Sequence, residues 1–167
     1  MSHSGKQEAS TDVVFLKAEG YAIQGAIFEV YREVGSGFLE AVYQECLEEE
    51  FRKRKIPFTA QPELTINYKG QAIRHTYKPD FVCYECIIVE LKAVQSLNAQ
   101  HEAQVINYLK ASNFQLGILV NFCAYPKAEV YRLLNKWFGY PSSKNPAVFR
   151  DFRCEKKRGG GGLIGTV

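Results

Sequence analysis

The sequence predicts an α/β fold, in which α-helices pack on a β-sheet, and three observations lead to that prediction. Apolar residues recur at helical spacing through the first third of the chain. From Leu64 to Tyr77 they alternate with polar residues, which is the period of β-strands. Residues 116–120 are apolar without alternation, as is typical of a strand buried on both faces. Elements in this order pack as a sheet covered by helices.

Length and composition are those of an ordinary globular domain. The chain has 167 residues, of which 46% are hydrophobic and 23% charged. A formal net charge of +3 is compatible with a nucleic-acid partner but does not indicate one. Five cysteines, an odd number, do not suggest a disulfide framework. The first residues lead into no long apolar run, so we expect no signal peptide and a cytoplasmic location.

Two helices are predicted at the start of the domain. The first covers residues 14–34, where Ile23, Ile27 and Val30 lie at helical spacing. Gly35-Ser36-Gly37 ends it, and a second helix begins near Phe38 and runs to about residue 54. Residues 1–13 are small and polar, and we expect them to form a flexible N-terminus.

Strands and further helices follow. Strands are predicted at 64–68 and 73–77, and the second is expected to continue past Pro79 into residues 81–83. A helix with Ser96 or Asn98 as its N-cap separates two buried strands. The domain is predicted to span residues 14–140, with 141–167 as a loosely ordered tail. The remaining predicted elements are a strand at 87–93, a helix at 98–112, a strand at 116–120 and a last helix at 127–138.

Three charged residues interrupt two otherwise apolar strands: Asp80, Glu90 and Lys92. A short turn centred on Glu85, with Cys83 opposite Ile87, places Asp80 across from Glu90. All three charged residues then share one face. Shifting the register by one residue would mix charged and apolar residues on both faces, so the pattern favours this pairing. The apolar residues on the other face are Phe81, Cys83, Ile87, Val89 and Leu91.

The cluster suits metal-dependent cleavage of phosphodiesters. Two negative charges about 4 Å apart repel by roughly 4 kcal/mol at an effective dielectric near 20, and a divalent cation turns that repulsion into attraction. Carboxylate oxygens bind Mg²⁺, and a bound metal lowers the pKa of a water and polarises a phosphate. A lysine beside them can orient or deprotonate that water, or stabilise the developing charge. The alternative is a cross-strand salt bridge on a solvated sheet face.

Several segments resemble one nuclease family. Pro79-Asp80 with Glu90-Leu91-Lys92 resembles the motif of the PD-(D/E)XK nuclease superfamily. Residues 37–43 resemble the signature of the GxxExxY protein family, a branch of that superfamily. His101-Glu102-Ala103-Gln104 with Tyr108, and then residues 117–122, resemble later segments of the same branch. The resemblance covers roughly residues 15–138, with the motifs in the expected order.

The resemblance implies a restriction-endonuclease-like core, which is a mixed β-sheet flanked by α-helices, and a Mg²⁺-dependent nuclease, in which Mn²⁺ can substitute. Asp80 and Glu90 would match the metal ligands, often joined by the backbone carbonyl of the following leucine, and Lys92 would match the catalytic lysine. Glu40 would match a further acidic residue from an upstream helix. Gln104 and Tyr108 would help to position the substrate or the site. The implied partner is nucleic acid, with DNA favoured over RNA, and a homodimer is compatible with the superfamily.

Alternatives remain open at this point. The chain could be a catalytically silent nuclease-fold module that binds nucleic acid or a protein partner. Glu40 could instead cap its helix, and Gln104 could lie on a solvated helix face.

Cys83 and Cys86 form a CxxC pair, but a structural zinc site usually needs a second pair, so we interpret this pair as incidental. The basic run 52–55 suits a solvated helix end, although it could contact phosphate, as could Arg74, Lys78 and Lys110.

Overall fold

The structure is a computed structural model that describes residues 8–136, with side chains from Leu16 onward. The predicted C-terminal tail and residues 1–7 lie outside the described residues. The elements are α1 (Glu8–Val34), α2 (Glu40–Arg54), β1 (Phe58–Ala60), β2 (Leu64–Tyr68), β3 (Gln71–Tyr77), β4 (Phe81–Cys83), β5 (Ile87–Lys92), α3 (Ala99–Ser112), β6 (Leu116–Asn121) and β7 (Glu129–Leu134). Among the described residues, no helix is long and apolar enough to span a membrane.

The main sheet has five strands in the order β1-β4-β5-β6-β7. Only β5 and β6 run parallel, and every other neighbouring pair is antiparallel. Strands β2 and β3 form a separate two-stranded sheet. This mixed sheet with flanking helices confirms the predicted α/β fold and agrees with a restriction-endonuclease-like core.

Helices cover both faces of the main sheet. On one face, the ring of Phe51 in α2 packs edge-on against Phe81 of β4, with centroids 5.3 Å apart. On the other face, Gly117 of β6 lies so close to α3 that an added Cβ would stand 2.4 Å from Val105 and 3.3 Å from Leu109. Helix α1 packs against α2. The core therefore has three layers, and the central strands β5 and β6 are buried on both faces.

The first turn of α3 is held by a capping box. The side chain of Asn98 accepts hydrogen bonds from the backbone N–H groups of Gln100 and His101, at 3.0 and 3.2 Å. In return, Nδ1 of His101 accepts a hydrogen bond from the Asn98 N–H at 3.2 Å. Asn98 is thus the N-cap, one of the two predicted candidates. The His101 ring serves the start of the helix.

Pro79 separates two strands that were predicted to be continuous. It is buried and has no N–H to donate to a sheet ladder, so β3 ends before it. Strand β3 pairs with β2, whereas β4 begins after Pro79 and joins the main sheet between β1 and β5. Strand β1 was not predicted because its three residues are too short to show an alternating pattern.

The last predicted helix is wrong over its described part. Residues Glu129–Leu134 form β7, which pairs antiparallel with β6. Strand β6 is fully buried, so its second edge needs a partner for its backbone N–H and C=O groups. That requirement outweighs the helix propensity of the glutamate, arginine and leucine residues in this segment.

Candidate active site

The hairpin of β4 and β5 has the predicted register. Phe81 pairs with Val89, and Cys83 pairs with Ile87. Tyr84 and Glu85 both adopt positive φ angles, of 50° and 60°, and the chain reverses there. Continued by one residue, this ladder brings the residue that precedes β4, Asp80, level with Glu90. The odd-numbered residues of both strands are buried, as expected from the apolar face.

Asp80 is held in place by three hydrogen bonds. Its Oδ2 accepts a hydrogen bond of 2.7 Å from the backbone N–H of Leu91 in β5. Its carbonyl oxygen accepts a 2.9 Å bond from the N–H of Gln61 and a 3.4 Å bond from the side-chain amide of Gln44 in α2. The carboxylate is therefore oriented toward β5 before any ligand arrives, and only one of its oxygens is used by Leu91.

Glu90 and Lys92 lie two residues apart on β5 and share a face. The Nζ of Lys92 lies 2.8 Å from Oε1 of Glu90. Glu90 is only 3% exposed, and its Oε2 is buried without a hydrogen-bond partner among the described residues. Burial raises the pKa of Glu90 to about 7, and the negative charge of Asp80 adds to that rise, while the hydrogen bond and charge of Lys92, and to a smaller extent the nearby backbone N–H of Asp80, oppose it.

The charges of the site act on one another. Burial raises the pKa of Asp80, and the charge of Glu40 raises it further, against the Leu91 hydrogen bond and the charge of Lys92. Burial alone would lower the pKa of Lys92. Its hydrogen bond with Glu90, followed by the charges of Glu90, Glu40 and Asp80, outweighs burial and raises that pKa. Lys92 is therefore a cation in the folded chain.

Glu40 is brought to this cluster by the start of α2. It is the first residue of the helix, and its side chain is exposed. The N-cap residue, Leu39, makes no side-chain hydrogen bond to the helix. The charge of Glu40 acts on both Asp80 and Lys92, so the glutamate stands at the edge of the site. A negative side chain at this helix end also suits the helix dipole.

The turn before Glu40 is fixed by Tyr43. The Tyr43 hydroxyl donates a 2.8 Å hydrogen bond to the carbonyl of Gly35 and accepts one of 3.2 Å from the N–H of Phe38. Its ring stacks on Phe122, with centroids 4.3 Å apart. Gly37 has a φ of 104°, which favours glycine. The spacing of glycine, glutamate and tyrosine in this segment thus has a structural reason, because the outer two residues shape the turn that presents the glutamate.

Helix α3 adds Gln104 and Tyr108 to the same face of the sheet. The Gln104 amide donates a 2.7 Å hydrogen bond to the Tyr108 hydroxyl. Tyr108 is 6% exposed, and burial raises the pKa of its hydroxyl; Gln104 opposes that rise. The charges of Glu90, Lys92 and Asp80 also act on this hydroxyl, so Tyr108 lies beside the cluster. The structure therefore brings together all six residues that the sequence singled out.

Asn121 is a further neighbour of the site, and its role was not predicted from the sequence. It pairs with Lys92 across the parallel strands β5 and β6, so the two side chains lie on the same face. Its Oδ1 accepts hydrogen bonds from the N–H groups of Val94 and Cys123, at 3.1 and 3.2 Å. It is fully buried, and its Nδ2 has no partner among the described residues. The available signal was a polar residue directly after the apolar run 116–120.

The CxxC pair lies at the other end of the hairpin from the charged cluster. Cys83 ends β4 and Cys86 precedes β5, and both are buried. The N–H of Cys86 donates a 3.1 Å hydrogen bond to the carbonyl of Cys83. In the part of the chain that the structure describes, no group of three or more His, Cys, Asp or Glu side chains is placed to hold a metal. Cys154 lies outside that part.

The donor set of the charged cluster fits Mg²⁺. Glu90 offers a buried oxygen without a hydrogen-bond partner among the described residues, and Asp80 has an oxygen that Leu91 does not use. Both are hard carboxylate oxygens of the kind that Mg²⁺ prefers. Two protein carboxylates suffice, since Mg²⁺ usually keeps several waters and completes its shell with phosphate oxygens.

Comparison with known families agrees with this geometry. A family model described as the PD-(D/E)XK nuclease superfamily matches residues 17–133, more than two thirds of the chain. The chain belongs to the PD-(D/E)XK nuclease superfamily. Among curated proteins and among solved structures, nothing matches it. Membership supports a nuclease-type function with nucleic acid as the substrate, and the superfamily typically uses divalent metals.

Proposed function

We propose that this chain is a metal-dependent nuclease that hydrolyses phosphodiester bonds in nucleic acid. The observation that carries the proposal is the buried Glu90 carboxylate, which has one oxygen on Lys92 and the other unpartnered among the described residues. Burying a carboxylate in this way is unfavourable unless a ligand compensates it. We assign Asp80 and Glu90 as the ligands of Mg²⁺, for which Mn²⁺ can substitute.

A bound Mg²⁺ would supply an activated water and a polarised phosphate. The chain's own cation is Lys92, whose ammonium is held on the site face by Glu90. As an ammonium it donates hydrogen bonds, so it orients the attacking water and stabilises the negative charge that develops on the phosphate. Glu40, exposed at the edge of the cluster, adds a negative charge on the solvent side of the site.

Gln104 and Tyr108 act as positioning residues in this proposal. Because the Tyr108 hydroxyl accepts a hydrogen bond from Gln104, its own proton is available for another acceptor. Its raised pKa keeps that proton on the oxygen at neutral pH. A phosphate oxygen or a bound water is the acceptor that the substrate would bring.

The decisive experiment is a panel of labelled DNA and RNA substrates, single-stranded and double-stranded, incubated with Mg²⁺ or Mn²⁺. Wild-type protein should cleave at least one of them, with DNA preferred. Asp80→Asn should lose roughly 100-fold or more in rate, since it removes a charge that acts in the transition state. Glu85→Gln is the matched control, because Glu85 is exposed at the turn, far from the cluster. Equal rates for Asp80→Asn and wild type would refute the metal assignment.

The family branch, the oligomeric state and the cellular location are further parts of this proposal. The glycine, glutamate and tyrosine of residues 37–43 support placing the chain in the GxxExxY branch. A homodimer in a cytoplasmic setting is part of the proposal, and sedimentation of the purified chain tests its oligomeric state. If the chain binds a nucleic acid of the panel but cuts none, it is the catalytically silent module that shares this fold.

A further inference from the structure

The β2–β3 hairpin stands apart from the main sheet. Every residue from 68 to 76 is exposed, so the outer part of the hairpin contributes nothing to the core. Only its base is anchored. Leu64 is buried, and the ring of Tyr77 packs against the ring of Tyr108 with centroids 5.0 Å apart. A two-stranded sheet exposed in this way has limited stability of its own, which suggests that another role retains it.

The hairpin is cationic. Residues 64–78 include Lys69, Arg74 and Lys78 but no aspartate or glutamate. Lys78 forms a 2.9 Å ion pair with Glu63 at the base. Lys69 and Arg74 form no ion pair with any residue of the described part of the chain, and Lys69 lies over the ring of Tyr68. The outer half of the hairpin therefore presents two unneutralised positive charges to solvent.

The basic run at the end of α2 behaves differently. Arg52 lies 2.9 Å from a carboxylate oxygen of Glu48, and Arg54 pairs with Glu50 and Glu29. These arginines are neutralised by neighbouring glutamates. The two lysines of the run form no ion pair in the described part of the chain, but the helix that carries the run has five glutamates against three basic residues. The hairpin has no acidic residue, so its positive charge is the less compensated of the two for contact with a phosphate backbone.

The hairpin is also joined directly to the candidate site. Strand β3 ends at Tyr77, three residues before Asp80, and Tyr77 packs against Tyr108. The seven residues of β3 span about 20 Å at the usual rise per residue. That length corresponds to about six base pairs of duplex. A duplex bound along the hairpin would therefore lead into the cluster.

We propose that the β2–β3 hairpin is an arm that docks this nuclease on double-stranded DNA, with Lys69 and Arg74 on the phosphate backbone. The inference rests on the proposed function and names its substrate class. The major groove of B-DNA admits a two-stranded β-ribbon, whereas the deep, narrow major groove of A-form RNA does not. The charge of the arm is complementary to DNA, and the arm is continuous with the site.

The test measures binding in the absence of divalent metal, so that no cleavage occurs. A labelled DNA duplex long enough to cover the arm and the site is titrated at several salt concentrations. In Lys69→Gln/Arg74→Gln, the slope of log K against log salt should fall by about 2, and affinity at moderate salt should fall roughly tenfold or more. The control, Lys17→Gln/Lys53→Gln, removes two exposed lysines from α1 and α2 and should leave the slope nearly unchanged.

Two results would overturn the proposal that the hairpin is a DNA-binding arm. One is an equal loss of DNA affinity in the control variant Lys17→Gln/Lys53→Gln, which would mean that DNA is attracted to the positive charge of the whole protein and not to the hairpin. The other is a Lys69→Gln/Arg74→Gln variant that binds duplex DNA like wild type. This includes a variant whose only change is in self-association, as measured by sedimentation. Unchanged melting temperatures would exclude misfolding as the cause of lost binding. Because binding is measured without cleavage, a chain that binds through the arm but never cuts would fail the proposed function and still support the arm.

Discussion

The Nζ of Lys92 lies 2.8 Å from Oε1 of Glu90, while Oε2 of that carboxylate is buried without a hydrogen-bond partner among the described residues. The lysine therefore neutralises the glutamate from one side and leaves the other side for a ligand. With Asp80 level with Glu90 and Glu40 at the edge, the negative charges of three carboxylates act on Lys92. This excess of negative charge favours a divalent cation at the site.

Replacing Lys92 by methionine should separate catalysis from metal binding. Lys92→Met keeps much of the aliphatic stem but removes the ammonium, so we expect cleavage to fall roughly 100-fold or more. It should not abolish the stabilisation by Mg²⁺, because both proposed ligands remain. Cleavage rates and melting curves with and without Mg²⁺ measure the two effects. Turnover like that of wild type in highly purified Lys92→Met would refute the assigned role.

Mg²⁺ and Mn²⁺ should stabilise the folded chain. A ligand that binds only the native state adds about 2.7 kcal/mol of stability at 100 times its dissociation constant. We expect the melting temperature to rise with either ion and the rise to disappear in Asp80→Asn. Glu85→Gln should keep it, since Glu85 is exposed at the hairpin turn. A rise of equal size in Asp80→Asn would place the ion elsewhere.

The buried Glu90 should make the metal-free chain less stable as the pH rises. Its pKa is about 7 in the folded state against an ordinary value of 4.5, so the folded state holds this proton more tightly than the unfolded state. The stability it contributes is fully present below about pH 4.5 and is lost by about pH 7, by at most about 3 kcal/mol. Denaturant unfolding of wild type and Glu90→Gln across this range gives the difference, because the glutamine cannot titrate. Parallel pH profiles of the two proteins would contradict the prediction.

The pairing of β4 with β5 could be predicted because side-chain alternation decides it. Only the register with Cys83 opposite Ile87 places residues 80, 90 and 92 on one face and the apolar residues on the other. A shift by one residue would have put charges into the apolar layer against α2, so the sequence pattern was sufficient.

The edge strand β7 and the place of Asn121 could not be predicted, because both depend on distant pairing. The two partly buried apolar residues of β7, Val130 and Leu133, are three apart, a spacing typical of a helix. This segment forms a strand because the backbone groups along the outer edge of β6 need hydrogen-bond partners. Asn121 lies beside Lys92 only because β5 and β6 run parallel in a register that no local pattern specifies. Likewise, the start of α2 alone could not tell whether Glu40 faces the cluster.

Asn121 should be important for both stability and cleavage. Asn121→Ala removes the acceptor of two backbone N–H groups, those of Val94 and Cys123, in a fully buried place. We expect a loss of about 2–6 kcal/mol in the free energy of unfolding, because each of the two orphaned donors costs about 1–3 kcal/mol. Denaturant unfolding measures the loss, with Asn107→Ala as the control, since Asn107 is exposed on α3.

Cleavage by Asn121→Ala should fall even at temperatures where the variant is fully folded. The segments that begin at Val94 and Cys123 leave β5 and β6 beside Lys92, and the asparagine side chain ties them together. Without that tie, both segments can shift, and the lysine loses part of the orientation that its role requires. If Asn121→Ala proves no less stable than Asn107→Ala and cleaves at the wild-type rate, Asn121 has neither role.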